Sequence, residues 1–200
     1  MEITEKLDYF VMKLSIEQSM HSKKLIFIFL FLAAIFILSG CDEEKPVSDG
    51  TLFGAINTYR VENGLPKIPM SKSLTKVAET HVKDLVDNQP VKGNCNLHSW
   101  SDKGSWTACC YTDDHAKAQC MWNKPRELTS YTGDGYEIAA WSSVDITAEQ
   151  AVSLWKGSAG HNNVILNKDI WKDLEWKAMG AAIYQGYAVV WFGKETDTEK

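Results

Sequence analysis

Residues 155–167 read Trp155-Lys156-Gly157-Ser158-Ala159-Gly160-His161-Asn162-Asn163-Val164-Ile165-Leu166-Asn167, and the rest of the chain is best read outward from this block. Immediately upstream, Asp145-Ile146-Thr147 leads into a helix. Thr147 is its predicted cap, because a hydroxyl there can accept from an otherwise unpaired N–H of the first turn. Ala148, Ala151, Val152 and Trp155 recur on one face. Ser158-Ala159-Gly160 interrupts that helix, and His161 to Asn167 is expected as a short turn or helix after the break.

Toward the C-terminus, Ala178–Tyr184 and Tyr187–Phe192 are two apolar runs joined by Gln185-Gly186. A two-residue connection containing Gly predicts a β-hairpin. Toward the N-terminus, Tyr136–Trp141 reads as a strand. The stretch 93–135 has few strand-like runs and is expected to be loop-rich. Leu74, Val77, Ala78, His81, Val82, Leu85 and Val86 trace an i, i+3, i+4, i+7 stripe after a cap at Ser71 or Ser73, which predicts a helix. Leu52, Ile56 and Tyr59 predict another helix, closed by Gly64. Within its stripe, His81 is expected to be a core or edge residue with a single hydrogen bond.

The chain has 200 residues, with 21 Lys+Arg, 26 Asp+Glu and a formal charge of −5. No basic patch of the kind that nucleic acid requires is visible, so nucleic acid is excluded as a partner. Leu25 to Leu38 is an uncharged apolar run preceded by Lys23 and Lys24. That is the layout of a secretory signal, too short for a spanning helix of about 20 residues. It ends Leu38-Ser39-Gly40-Cys41, which resembles the lipobox of bacterial lipoproteins, in which the cysteine is lipidated and becomes the mature N-terminus. Residues 1–40 are therefore expected to be a signal segment, with translation starting at Met20 and His21 lying in the signal. Residues 41–50 are expected to be a tether, 51–194 the domain, and 195–200 a polar tail. The implied location is the bacterial cell envelope, outside the cytoplasm, with the membrane engaged through a lipid on Cys41.

Of the five Cys, assigning Cys41 to lipid leaves Cys95, Cys109, Cys110 and Cys120. An even set in an oxidising compartment suggests two disulfides. Pairing the neighbours Cys109 and Cys110 would form a strained ring, which leaves two connectivities open. A structural zinc site is disfavoured by the lack of CxxC spacing.

Asn57-Thr58-Tyr59-Arg60 with Gly64-Leu65-Pro66, then the 155–167 block, then Gly180–Phe192, resemble in this order the CAP superfamily of cysteine-rich secretory, venom-allergen and pathogenesis-related proteins. The resemblance spans roughly residues 50–193. It implies an α+β fold, a three-layer α-β-α sandwich around a central antiparallel sheet. It also implies a cleft in which two His face each other and can hold a divalent metal, often with Glu nearby. Carried over, His161 is the signature His, and His98, in Asn96-Leu97-His98-Ser99-Trp100, matches the other. Neutral imidazole is a common ligand of zinc, and two His leave positions open for water or a ligand. The expected cofactor is therefore zinc or another divalent cation, weakly bound.

Glu137 is the expected third member and the candidate base. The family motif here is Gly-Glu-Asn, whereas this chain has Gly135-Tyr136-Glu137-Ile138. One residue of slip turns a strand side chain to the opposite face, and the reading adopted here points Glu137 into the cleft. The second Glu of animal relatives is replaced by Ser158, which counts against hydrolysis. Ser158, Trp100 and Asn162 are expected in the cleft, and His115, beside Asp113 and Asp114, on the surface.

Three functions remain in play. One is a non-catalytic domain that binds a small molecule, lipid, peptide or cell-wall fragment in its cleft. Another is a metal-dependent hydrolase using His98, His161 and Glu137. The third is an adhesion module presenting Trp100, Trp106, Trp122 and Trp141.

Overall fold

The structure, a computed structural model, describes residues 51–199. The signal segment, the Met20 start, Cys41 and the 41–50 tether lie outside the described residues. Among the described residues, no helix is long and apolar enough to cross a membrane.

Helix α1 spans Leu52–Glu62, with the Thr51 hydroxyl accepting from the Gly54 N–H. It ends at Gly64, which sits at φ +75°, a conformation that glycine adopts without strain. There Gly64 N–H donates to Val61 O and Leu65 N–H to Arg60 O, a Schellman closure that satisfies two orphan carbonyls. Helix α2 spans Lys72–Asp87, capped by the Ser71 hydroxyl, and its apolar stripe is buried along its length. Between Gly93 and Gly135 the chain is not wholly irregular. It contains two short helices, α3 (Ala118–Trp122) and α4 (Lys124–Leu128), which the sequence reading missed. At about one turn each, they are too short for an apolar stripe to repeat.

Strand β1 is Tyr136–Trp141. Helix α5, Ala148–Lys156, opens with a capping box between Thr147 and Gln150, and helix α6, Ala159–Ile165, follows the break at Gly157-Ser158. A 3-10 turn at Asp169–Trp171 leads to strands β2 (Ala178–Tyr184) and β3 (Tyr187–Gly193). These form an antiparallel sheet in the order β1-β3-β2, with Glu137 opposite Trp191 and Tyr184 opposite Tyr187.

Both faces of the sheet are covered, because side chains on each strand alternate between two apolar clusters. Ile138, Ala140, Val190 and Phe192 join Leu52 and Ile56 of α1, Ala151, Val152 and Trp155 of α5, and Val164 and Ile165 of α6. Ala139, Val189 and Trp191 face the other way, onto Leu74, Val77, Ala78, Val82 and Leu85 of α2 and onto Trp100, Tyr111 and Met121. This is the expected three-layer arrangement. The layers meet closely at Gly180, where an added Cβ would lie 2.1 Å from the Leu74 carbonyl carbon and the Thr75 nitrogen.

The outer edges of the sheet are partly closed. On β2, Met179 exchanges main-chain bonds with Pro69 and Ser71. On β1, the Trp155 indole N–H donates to Ala139 O (3.1 Å), so the signature Trp caps a main-chain acceptor that has no neighbouring strand. The tail, expected to be merely polar, returns to the domain. Asp197 accepts from Ser71 Oγ, Ser73 N–H and Ser73 Oγ at the start of α2.

Candidate functional site

The element carrying His161 is held from several sides. Arg60 of α1 donates to Ile165 O and to Asn167 Oδ1 (2.8 Å). The Tyr59 hydroxyl donates to Asn162 Oδ1 (2.9 Å), and the Trp176 indole N–H to Val164 O. The motif residues at the two ends of the chain are thus tied directly to one another. Asn162 serves this anchoring and is not among the cavity's lining residues.

The segment carrying His98 is held by the disulfides Cys95–Cys110 and Cys109–Cys120, one of the two connectivities left open by sequence. Trp100 and Cys109 exchange main-chain bonds, and the Asn96 side chain accepts from the His98 N–H in an Asx turn. Trp100 was expected in the cleft and on an adhesive surface. It is 2% exposed, stacked in the second core cluster, and lines no part of the cavity. Of the four Trp proposed for adhesion, Trp106 and Trp122 are half-buried and Trp141 is exposed, so they form no common exposed face.

Between these segments, along the open edge of β1, lies a cavity of about 550 Å³. Met121, Trp122, Tyr136, Ile138, Val164 and Trp171 give it an apolar wall, while His98, Glu137 and His161 are its central polar groups. His115 is exposed, as expected, and stands on the lining with Nδ1 3.0 Å from the Tyr111 hydroxyl. Tyr111 was not anticipated. Burial and the Glu137 charge both raise its pKa, so it keeps its proton.

The register question at β1 has a definite answer. Tyr136 packs edge-on or tilted against Trp122, Trp171 and Trp176, whereas Glu137 turns toward α2. Its carboxylate is fully buried and engaged on both oxygens. Oε1 lies 2.5 Å from Nδ1 of His81 and Oε2 lies 2.7 Å from Nδ1 of His98. Burial alone would raise this carboxyl, but the two imidazoles outweigh it and hold the group below the usual carboxylate range.

Counting donors then fixes the hydrogens. His81 Nε2 lies 3.0 Å from Ser99 O, a carbonyl that can only accept, so this nitrogen carries a hydrogen. Ionised Glu137 can only accept, so Nδ1 of both His81 and His98 carries one too. His81 is therefore an imidazolium in this arrangement, stacked 4.2 Å from the Trp100 ring at 6° between planes, a placement that favours a cation. His98, with its hydrogen on Nδ1, presents the Nε2 lone pair. His161 is oriented in the same manner, with Nδ1 2.8 Å from Ser158 Oγ. Burial lowers the His161 pKa, and a proton on His98 would lower it further. Neither Nε2 has a hydrogen-bond partner among the described residues, and both residues line the cavity.

Sequence reasoning treated His81 as a bland core residue with one hydrogen bond. It has two and forms the far end of the site. The available signal was its place in a fully buried stripe, where a polar side chain requires partners on both nitrogens. Ser158, expected to line the cleft, acts instead through His161.

Two imidazoles oriented through Nδ1, with free Nε2 atoms on one cavity, suit a divalent cation, since metal-binding His residues usually have the second nitrogen held in this manner. Glu137 lies fully buried between the two imidazoles, with each oxygen accepting from one of them. Among the described residues, no group of three or more His, Cys, Asp or Glu is placed to hold one ion.

A sheet covered by helices on both faces, with His98 and His161 on a cavity at its edge, defines an α+β sandwich. The profile of the cysteine-rich secretory protein family, CAP, matches residues 53–188, and the chain belongs to that family. No curated protein matches it. Among solved structures, it is similar to an extracellular SCP-domain protein from Bacillus anthracis, with TM-score 0.50, 17% identity, 72% of this chain covered and 39% of that one. An outer surface protein from Borrelia burgdorferi gives TM-score 0.48 at 18% identity, covering 72% and 90%. A cysteine-rich secretory protein from Staphylococcus aureus gives 0.46 at 16%, covering 77% and 40%. The chain thus spans about two fifths of the Bacillus and Staphylococcus structures that it matches.

Proposed function

We propose that this domain is a binding module, not a hydrolase, and that its cavity takes a ligand with an apolar body and a polar end. The observation that carries this reading is the doubly engaged Glu137. A carboxylate buried between two imidazoles, with its pKa held low by them, orients His98 and is a weak base toward a water proton. The groups left to meet a ligand are the Nε2 atoms of His98 and His161, set against an aromatic wall. About 550 Å³ is within the usual range for small-molecule sites. A divalent cation such as zinc would be held by those two atoms and would supply a positive centre for the ligand's polar end.

On this proposal the chain works in the bacterial envelope, outside the cytoplasm, tethered by lipid on Cys41. Two disulfides within a short segment support an oxidising compartment. The Bacillus structure is of an extracellular protein.

A saturated fatty acid of about ten carbons, matched to a mid-sized apolar pocket, is a suitable probe, followed through tryptophan emission. Saturable quenching is expected in the wild type, and Ala118→Trp, which fills the cavity from its lining, is expected to abolish it. Undiminished quenching in that variant would overturn the assignment to this cavity.

A further inference from the structure

Arg60 was singled out in the sequence only as part of a family motif, yet among the described residues its charge has no partner. The residue is 3% exposed. Nε donates to Pro66 O, and Nη1 donates to Ile165 O and Asn167 Oδ1, all uncharged acceptors. Among the described residues it forms no ion pair. Burial lowers its pKa to about 10, the expected effect of desolvating an uncompensated guanidinium. Buried charges in folded proteins are as a rule paired, so this one calls for an explanation.

Nη2 supplies it. That atom makes no hydrogen bond and is not among the sealed polar atoms, and Arg60 lines a second pocket of about 520 Å³. Lys67, Lys172 and Lys177 line the same pocket, all exposed; among the described residues none of them is in an ion pair, and only one carboxylate, Glu175, lies beside them on the lining. The protein as a whole carries −5, so this excess of positive charge runs against its overall balance. The pocket shares no lining residue with the His98/His161 cavity.

We propose that this pocket is a binding site for a phosphoryl anion, seated on Arg60 Nη2 and ringed by the three lysines. A guanidinium edge fits the tetrahedral oxygens of a phosphoryl group, and four cations against one carboxylate favour an anionic guest. The pocket has room for the organic group of a phosphate ester. Such an anion could arrive as a free phosphate monoester or as the phosphodiester of a lipid headgroup.

The test is calorimetry on the full chain in neutral detergent at fixed ionic strength, with chloride as the control anion. Inorganic phosphate and the soluble diester glycerophosphoglycerol are titrated separately, and the tighter of the two identifies the source. Saturable one-to-one binding of at least one is expected. The triple variant Lys67→Ala/Lys172→Ala/Lys177→Ala, which alters only exposed side chains, is expected to bind about tenfold more weakly or worse, on Coulomb grounds. Thr196→Trp, which narrows the pocket without changing charge, is expected to weaken binding too. No saturable heat with either probe in the wild type, or triple-variant binding equal to wild type, would overturn the proposal.

Discussion

Replacing Glu137 in two ways separates its charge from its hydrogen bonds. Glu137→Ala removes the acceptor of two imidazole N–H groups and leaves the His81 imidazolium buried without a counterion. Removing one member of a buried ion pair costs about 3–5 kcal/mol. Glu137→Gln behaves differently. Its amide oxygen can accept from His98 Nδ1, and its amide N–H can donate to Nδ1 of a neutral His81 that still donates from Nε2 to Ser99 O. Every polar atom keeps a partner, and only the charge pair is lost. Because a buried pair and a well-satisfied neutral network are often close in stability, the Gln variant should cost about 1 kcal/mol or less. The assay is urea unfolding with the disulfides intact. With a slope of about 1–3 kcal/mol per molar urea, the Ala variant should shift the midpoint by roughly 2 M and the Gln variant by well under 1 M. Equal losses in the two variants would refute the donor count, as would a negligible loss on Glu137→Ala.

Gly180→Ala should destabilise the domain by about 2 kcal/mol or more, since its Cβ would fall on the α2 backbone and both layers would have to part; thermal unfolding reads this. Asp197→Ala should cost about 1 kcal/mol through the loss of its bonds to Ser71 and Ser73. Burial would raise the Asp197 carboxyl, but those bonds outweigh it and lower its pKa, so its stabilisation is present above the ordinary Asp value and is lost as pH falls through its lower native value. Wild type and Asp197→Asn should therefore converge in stability in acid, as monitored by urea midpoints across pH. The depressed His161 pKa means that its protonation opposes folding. That stabilisation is whole above the ordinary His value and is lost as pH falls through the native one, whereas His161→Gln should lack this step.

Much of the frame could be read from local pattern. The α2 stripe, the Thr147 cap and the Gln185-Gly186 hairpin each follow from short-range chemistry and recur in the structure with nearly the expected limits. The residues of the site were less legible, because their roles depend on contacts far apart in sequence. His81 meets Glu137 across 56 residues, and while its buried stripe signals that both ring nitrogens need partners, nothing near it names them. Trp100 was placed in the cleft for its neighbourhood to His98. Two residues further on, its side chain lies in the core, stacked on His81. The two connectivities open to the four cysteines could not be separated by spacing, and what separates them is the fold of the 93–135 segment.

His98 and His161 line one cavity, each with an Nε2 that has no hydrogen-bond partner among the described residues. Titrating the full chain in neutral detergent with zinc by calorimetry, in wild type, His98→Ala and His161→Ala, tests this most directly. One site per chain is predicted in the wild type and none in either variant. No heat in the wild type, or binding that survives both single substitutions, would contradict it.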